Sequence, residues 1–173
     1  MLHNNKLRIM RLFFDNPSES FQLRQISRLA KIAVTSVTAY ANSLVKEDLI
    51  ILIKKGIYPS YKANRDNEKF RLYKKLDLIE RIESSGLLSY LYDSCMPDCI
   101  ILFGSASLGE DIEGSDIDMF IQSKEKKLNL EKYEKILSRK ISLFFEDNFS
   151  RLSSELKNNI LNGIKLKGYI KVF

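Results

Sequence analysis

Cysteine is scarce in this chain: two residues, Cys95 and Cys99, in 173. Two thiols four positions apart make no disulfide framework, and with a single distant histidine they do not supply a zinc ligand set. They are expected to be half-buried thiols beside a strand. No apolar run reaches 18 residues and no secretory leader opens the chain, so neither a membrane span nor export is expected, and the protein is read as cytoplasmic. Charged residues are plentiful at 29%, but no long block of one sign occurs, which argues against wholesale disorder. Apolar residues make up 45%, enough for one large or two small packed cores.

The charge is unevenly placed. Over residues 1–92, Lys and Arg number 16 against 9 Asp and Glu; over 93–173 they number 12 against 13. A basic front half beside a near-neutral back half points to a polyanionic partner for the front.

Helical spacing of Leu7, Met10 and Phe14 predicts a helix over 6–14, stopped by Asp15-Asn16-Pro17. Within 21–30, Leu23, Ile26, Leu29 and Ala30 predict a short amphipathic helix. A turn follows around 31–34, then a longer helix from 35 to 47 burying Val37, Tyr40, Ala41 and Leu44. Residues 49–53 predict a strand, Lys54-Lys55-Gly56 a turn, and 57–63 a return strand.

Helix, short helix, tight turn, longer helix and basic hairpin, in that order, resemble a winged helix-turn-helix over residues 3–64. The resemblance implies DNA binding, with the 35–47 helix reading a groove. An α-helix fits the major groove, and its N-terminal residues reach base edges. The outward positions Thr35, Ser36, Thr38, Ala39 and Asn42 are small or polar. Lys54, Lys55 and Lys62 would meet phosphates, which position a protein without reading sequence. Such proteins commonly read two half-sites, so a homodimer is an expectation.

Residues 67–97 are expected to be a helical connector. Phe70, Leu72, Leu76, Ile79 and Ile82 predict one helix, Ser84-Ser85-Gly86 a break, and Leu87, Leu88, Leu91 and Tyr92 a second helix before Pro97. From 98 onward, strands at 99–103, 116–122 and 141–145 alternate with a short helix at 104–110 and longer ones at 128–139 and 149–161. That order predicts an α+β or α/β unit with helices on one face of a sheet. Residues 164–173 alternate like an edge strand.

The chemistry concentrates between 100 and 121. An apolar strand ends at Gly104-Ser105, where a glycine admits a phosphate close to the backbone and a serine adds a donor. Asp116 and Asp118 are two apart in a predicted strand and therefore share a face, with Ile117, Met119 and Ile121 on the other. Two adjacent carboxylates repel each other unless cations bridge them, and hard cations such as Mg²⁺ take carboxylate and phosphate oxygens together.

Gly104-Ser105, nine residues, then Ser115-Asp116-Ile117-Asp118 resembles the signature of the DNA polymerase beta-like nucleotidyltransferase superfamily, particularly its minimal branch. The resemblance implies that Gly104, Ser105 and Ser115 hold a nucleoside triphosphate. It also implies that Asp116 and Asp118 are catalytic and bind Mg²⁺ or Mn²⁺. The reaction would move a nucleoside monophosphate onto an acceptor. Two positions depart from the pattern. Leu108 stands where a basic residue is usual, and Ser142 stands where a third carboxylate is expected. Glu146 shares the face of Ser142 but lies roughly 13 Å along the strand, and Asp147 has the wrong parity. Two readings follow. One is a Mg²⁺-dependent transferase brought to DNA or a protein partner by a winged helix. The other is a DNA-binding regulator, or an antitoxin beside a protein partner, whose transferase domain is impaired at Ser142.

Overall fold

A computed structural model of the protein describes residues 4–55 and 57–172. The chain forms two compact units, Met1–Lys74 and Lys75–Phe173. No described helix is long and apolar enough to cross a membrane.

The first unit runs α1 (Asn4–Asp15), β1 (Ser20–Gln22), α2 (Leu23–Ala30), α3 (Val34–Lys46), β2 (Ile50–Ile53) and β3 (Ser60–Ala63). The strands form an antiparallel sheet in the order β1-β3-β2, with Phe21 opposite Tyr61 and Ile50 opposite Ala63. Ile9, Met10 and Phe13 on α1, Ile26 on α2, and Val37, Ala41 and Leu44 on α3 close one core, the helical spacing placing each set on one side. The α2–α3 turn is tight because Lys31 takes the left-handed region at φ 53° and the Ser27 hydroxyl donates to the Ile32 carbonyl at 2.6 Å. Ile32 itself is buried, so the turn is pinned from both sides.

β1 overlaps the start of the stretch 21–30 expected to be helical. Three residues carry too little alternation to be read as a strand; Ser20–Gln22 are extended because β3 pairs with them. Leu29, expected on the buried face, is 50% exposed, and Ile26 and Ala30 carry that face. The return strand begins at Ser60 rather than 57, with Ile57 and Tyr58 exposed before it. Gly56 of the expected turn, residues 1–3, and Phe173 of the expected last strand lie outside the described residues.

Residues 67–97 carry α4 (Glu68–Ser84) and α5 (Leu87–Cys95), and the division between the units falls within α4. Phe70 packs into the first core, whereas Leu78, Ile82, Leu87, Leu88 and Leu91 pack into a second. Leu72 and Leu76, expected on the apolar stripe, are 43% and 51% exposed.

The second unit continues with β4 (Cys99–Leu102), α6 (Gly104–Leu108), β5 (Ile117–Ile121), α7 (Glu131–Leu137), β6 (Ile141–Phe145), a 3-10 turn (Phe149–Arg151), α8 (Ser154–Leu161) and β7 (Ile164–Gly168). The sheet is mixed, in the order β6-β5-β4-β7, with β5–β6 parallel and the β4 pairings antiparallel. Ile117, Met119 and Ile121 face the core made with α4, α5 and α7; Phe120 and Ile101 face a separate cluster with Phe149, Leu152 and Ile160. Apolar packing thus covers both faces, a correction to the expectation of helices on one. It follows from Phe120, whose parity opposes that of its neighbours.

Helix limits also differ. The helix expected over 128–139 is confined to Glu131–Leu137, ended by Ser138 at φ 55°. The helix expected over 149–161 is split, because the Ser153 hydroxyl accepts from the Leu156 N–H and starts α8 afresh. β7 is an edge strand, as expected, but it ends at Gly168, short of the stretch 164–173. The chain beyond it is held by the buried Gln122, whose side chain donates to the Lys171 carbonyl at 2.7 Å and accepts from its N–H at 2.9 Å.

Candidate functional site

The acidic residues lie where β4 and β5 meet α6. The Phe103 N–H donates to the Asp118 carbonyl at 3.0 Å, which brings the end of β4 beside the start of β5. The chain then turns sharply at Gly104, with φ +69°, into the single turn of α6. A methyl group on Gly104 would stand 2.7 Å from Asp118 Oδ2. Glycine is therefore required twice, by the backbone angle and by the carboxylate that occupies the space a side chain would need. Ser105 is exposed at this corner.

Asp116 precedes β5 by one residue rather than lying in it, and is exposed; Asp118 is half-buried within the strand. Burial first, and then the negative charge of Asp116, push the Asp118 carboxyl above the usual range. A hydrogen bond from Ser142 and the positive charge of Arg139 act in the opposite direction. The pair is thus close enough to interact, and Ser142 and Arg139 offset only part of the resulting electrostatic cost. Ser142 is the direct neighbour of Asp118 in the parallel β5–β6 pairing, the position reached by counting along the sequence. Glu146 lies beyond the end of β6 and binds Arg151, so it does not complete an acidic triad. Among the described residues, no group of three or more His, Cys, Asp and Glu side chains is placed to hold a metal.

Ser115 is tied into its own loop, its hydroxyl accepting from the Ile112 N–H at 3.1 Å. That engagement leaves it less open to a ligand than Ser105. Leu108, at the position usually basic, is 51% exposed and offers no charge.

One residue of this corner escapes sequence reasoning. Arg139 donates through Nε to the Ser115 carbonyl at 2.9 Å, through one terminal nitrogen to Asp111 Oδ2 at 2.8 Å, and through the other to the Asp116 carbonyl at 3.0 Å. Its partners lie more than 20 residues upstream, so no local pattern reveals them. An arginine just before the third strand of the unit was the available signal.

In the first unit, Thr35, Ala39 and Asn42 of α3 are exposed, while Ser36 and Thr38 are half-exposed, the Thr38 hydroxyl donating to the Val34 carbonyl at 2.9 Å. Lys54 and Lys55 are exposed after β2, and Lys62 is half-exposed on β3. A cleft of about 320 Å³ opens beside the starts of α2 and α3, lined by Gln22, Leu23, Arg24, Val34, Tyr58 and Pro59. It is partly apolar and contains no acidic side chain.

The cysteines were expected as half-buried thiols beside a strand, which holds for Cys95 but not for Cys99, fully buried within β4. Cys99 is buried in β4, and burial pushes its thiol up to about 11; Cys95 is partly buried.

Neither a curated protein nor a solved structure shows a significant match to the chain. The stretch from the end of α5 into β7, residues 93–166, which contains Gly104, Asp116, Asp118 and Arg139, matches the family model of the nucleotidyltransferase domain.

Proposed function

We propose that residues 98–173 form a Mg²⁺- or Mn²⁺-dependent nucleotidyltransferase that moves a nucleoside monophosphate from a nucleoside triphosphate to an acceptor. Residues 1–66 would form a winged helix-turn-helix that binds DNA, with 67–97 joining the two. The observation that carries the reading is Asp118 Oδ2 lodged against Gly104, beside the charge of Asp116. Polar groups kept in conflict, at a cost to the fold, mark a site built for something other than folding.

The donor set suits a hard divalent cation. Asp116 and Asp118 supply carboxylate oxygens, the bare backbone at Gly104 leaves room for phosphate, and Ser105 adds an exposed hydroxyl. When bound, the cation would neutralise charge developing on the transferred phosphoryl oxygens. Asp116 and Asp118 hold it; Gly104 and Ser105 cradle the triphosphate; Ser142 orients Asp118 through its hydrogen bond. The acceptor hydroxyl forms the new P–O bond as pyrophosphate leaves, and its proton must pass to a base. A serine hydroxyl cannot serve as that base at neutral pH, so turnover at this site is slow unless the acceptor or solvent takes the proton.

The Asp118–Ser142 pairing favours a second reading. Here the protein is a DNA-binding regulator, or an antitoxin acting beside a protein partner, whose transferase domain binds nucleotide without efficient transfer. The outer face of α3 and the basic Lys54-Lys55 loop support DNA as the partner under both readings. A cytoplasmic location and a homodimer matched to two half-sites belong to the same proposal.

Incubation with triphosphates labelled at the α-phosphate, Mg²⁺ and candidate acceptors separates the two. Label transfer that disappears in Asp116→Ala and Asp118→Ala supports the transferase. Nucleotide binding with no transfer to any acceptor supports the regulator.

A further inference from the structure

The loop from Asp111 to Asp116 carries no helix or strand, yet it must deliver Asp116 to a defined place beside Asp118. Part of its shape comes from within. Ser115 N–H donates to the Ile112 carbonyl at 3.1 Å, the Ser115 hydroxyl accepts from Ile112 N–H, and Gly114 takes φ +77°. The rest comes from Arg139, on the connection between α7 and β6. Its three guanidinium nitrogens reach three acceptors spread along the loop: the Asp111 carboxylate, the Ser115 carbonyl and the Asp116 carbonyl. The contact is sheltered, with the Arg139 side chain 15% exposed and that of Asp111 4%.

We propose that Arg139 is a positioning residue for the acidic pair: by gripping the carbonyls on either side of the Asp116 N–H and anchoring to Asp111, it sets the direction in which Asp116 leaves the backbone, so that Asp116 and Asp118 face one divalent cation. This rests on the reading of the pair as a metal site and adds the residue that makes it one site rather than two separate carboxylates. The planar fork is essential to the argument. A tie between loop and strand needs one hydrogen bond, and the neighbouring Ile117 N–H already supplies it by donating to the Lys140 carbonyl at 2.9 Å. Three directed bonds from one rigid group fix orientation as well as distance. The same cation sits near enough to act on Asp118, so the fork also moderates repulsion between the carboxylates before any metal arrives. Lysine keeps the charge but presents one ammonium, which cannot span three acceptors.

The test is a calorimetric titration of the full chain with Mn²⁺ alone, with a thermal melt on each variant. Wild type is compared with Asp118→Asn, Arg139→Lys, Asp111→Asn and, as a neighbouring control, Lys140→Ala. Expected results are Mn²⁺ binding lost in Asp118→Asn, weakened about 10–100-fold in folded Arg139→Lys, weakened less in Asp111→Asn, and unchanged in Lys140→Ala. The range is that of other residues that orient metal ligands. If Arg139→Lys melts early, Asp111→Asn, which leaves the arginine and its two carbonyl bonds in place, decides the matter. Mn²⁺ affinity equal to wild type in the folded variants overturns the role of Arg139 and leaves the metal site standing. No Mn²⁺ binding by wild type, or binding indifferent to Asp118→Asn, overturns the metal site and the positioning role together.

Discussion

The acidic corner of the second unit and the outer face of α3 in the first make different kinds of claim on function. At the corner, Asp118 is half-buried beside Asp116, pressed against a glycine that can carry no side chain, and flanked by an arginine bound to three acceptors. Each feature costs stability or constrains sequence without adding to either apolar core. On α3, Thr35, Ala39 and Asn42 stand in solvent, where small and polar residues cost nothing. A strained arrangement testifies to function by itself; a relaxed surface does so only through what it touches. On the reading proposed above, the corner suits a hard cation and a phosphate, whereas the α3 face offers only a shape that a groove would accept.

Substitutions in each region test the difference between them. The largest effect is expected at the missing carboxylate. If the corner is a transferase limited by proton removal, Ser142→Asp raises label transfer by about 10²–10⁴-fold, measured under single-turnover conditions. An unchanged rate would place the limitation elsewhere, and loss of transfer would mean that Ser142 does more than fill a gap. Next comes Gly104→Ala. It introduces a methyl group 2.7 Å from Asp118 Oδ2 at a φ of +69°, so Mn²⁺ affinity should fall at least tenfold and stability by about 1–2 kcal/mol. Titration calorimetry and denaturant unfolding read the two losses separately.

On the other side of the comparison, replacing Lys54 and Lys55 together by alanine should reduce the slope of log affinity for DNA against log salt by about 2, with a similar weakening across DNA sequences. Binding with no salt dependence, or none at low salt, would assign the first unit to a protein partner instead.

The smallest effect is the most diagnostic of strain. Because the folded state raises the Asp118 pKa, folding favours the protonated form. The stability of the wild-type apo protein therefore falls as pH rises from the ordinary carboxylate range through the higher value in the fold. Asp118→Asn removes that dependence. It should match wild type at the acidic end and be the more stable of the two near neutrality, read from melts across pH. A variant less stable than wild type at neutral pH would show Asp118 to be a structural residue.

How much of this was legible in the sequence follows from the range of the interactions involved. Gly104-Ser105 and Asp116-Asp118 could be read because strand parity and a fixed spacing put them together, and Ser142 could be placed opposite Asp118 by counting. Ser153, a capping serine followed by Ser154-Glu155, carried a helix-start signal that apolar spacing across 149–161 obscured. β1 carried none, since three residues become a strand only through β3. Arg139 was beyond reach for the same reason: its acceptors reach it through the parallel β5–β6 crossover, which no local pattern encodes. The exposure of Leu72 and Leu76 has another cause: the buried face of α4 carries Phe70, Lys74, Asp77, Leu78 and Ile82 at helical spacing, and because two of these are charged, apolar residues alone marked the wrong stripe.

The most direct test is a crystal of the protein grown with a non-hydrolysable nucleoside triphosphate analogue and Mn²⁺, with anomalous scattering used to locate the metal. A Mn²⁺ peak bonded to carboxylate oxygens of both Asp116 and Asp118, with triphosphate oxygens completing its shell and the phosphates resting on Gly104-Ser105, is the result predicted here. Nucleotide bound elsewhere, or metal ignoring this pair at saturating concentration, would contradict it.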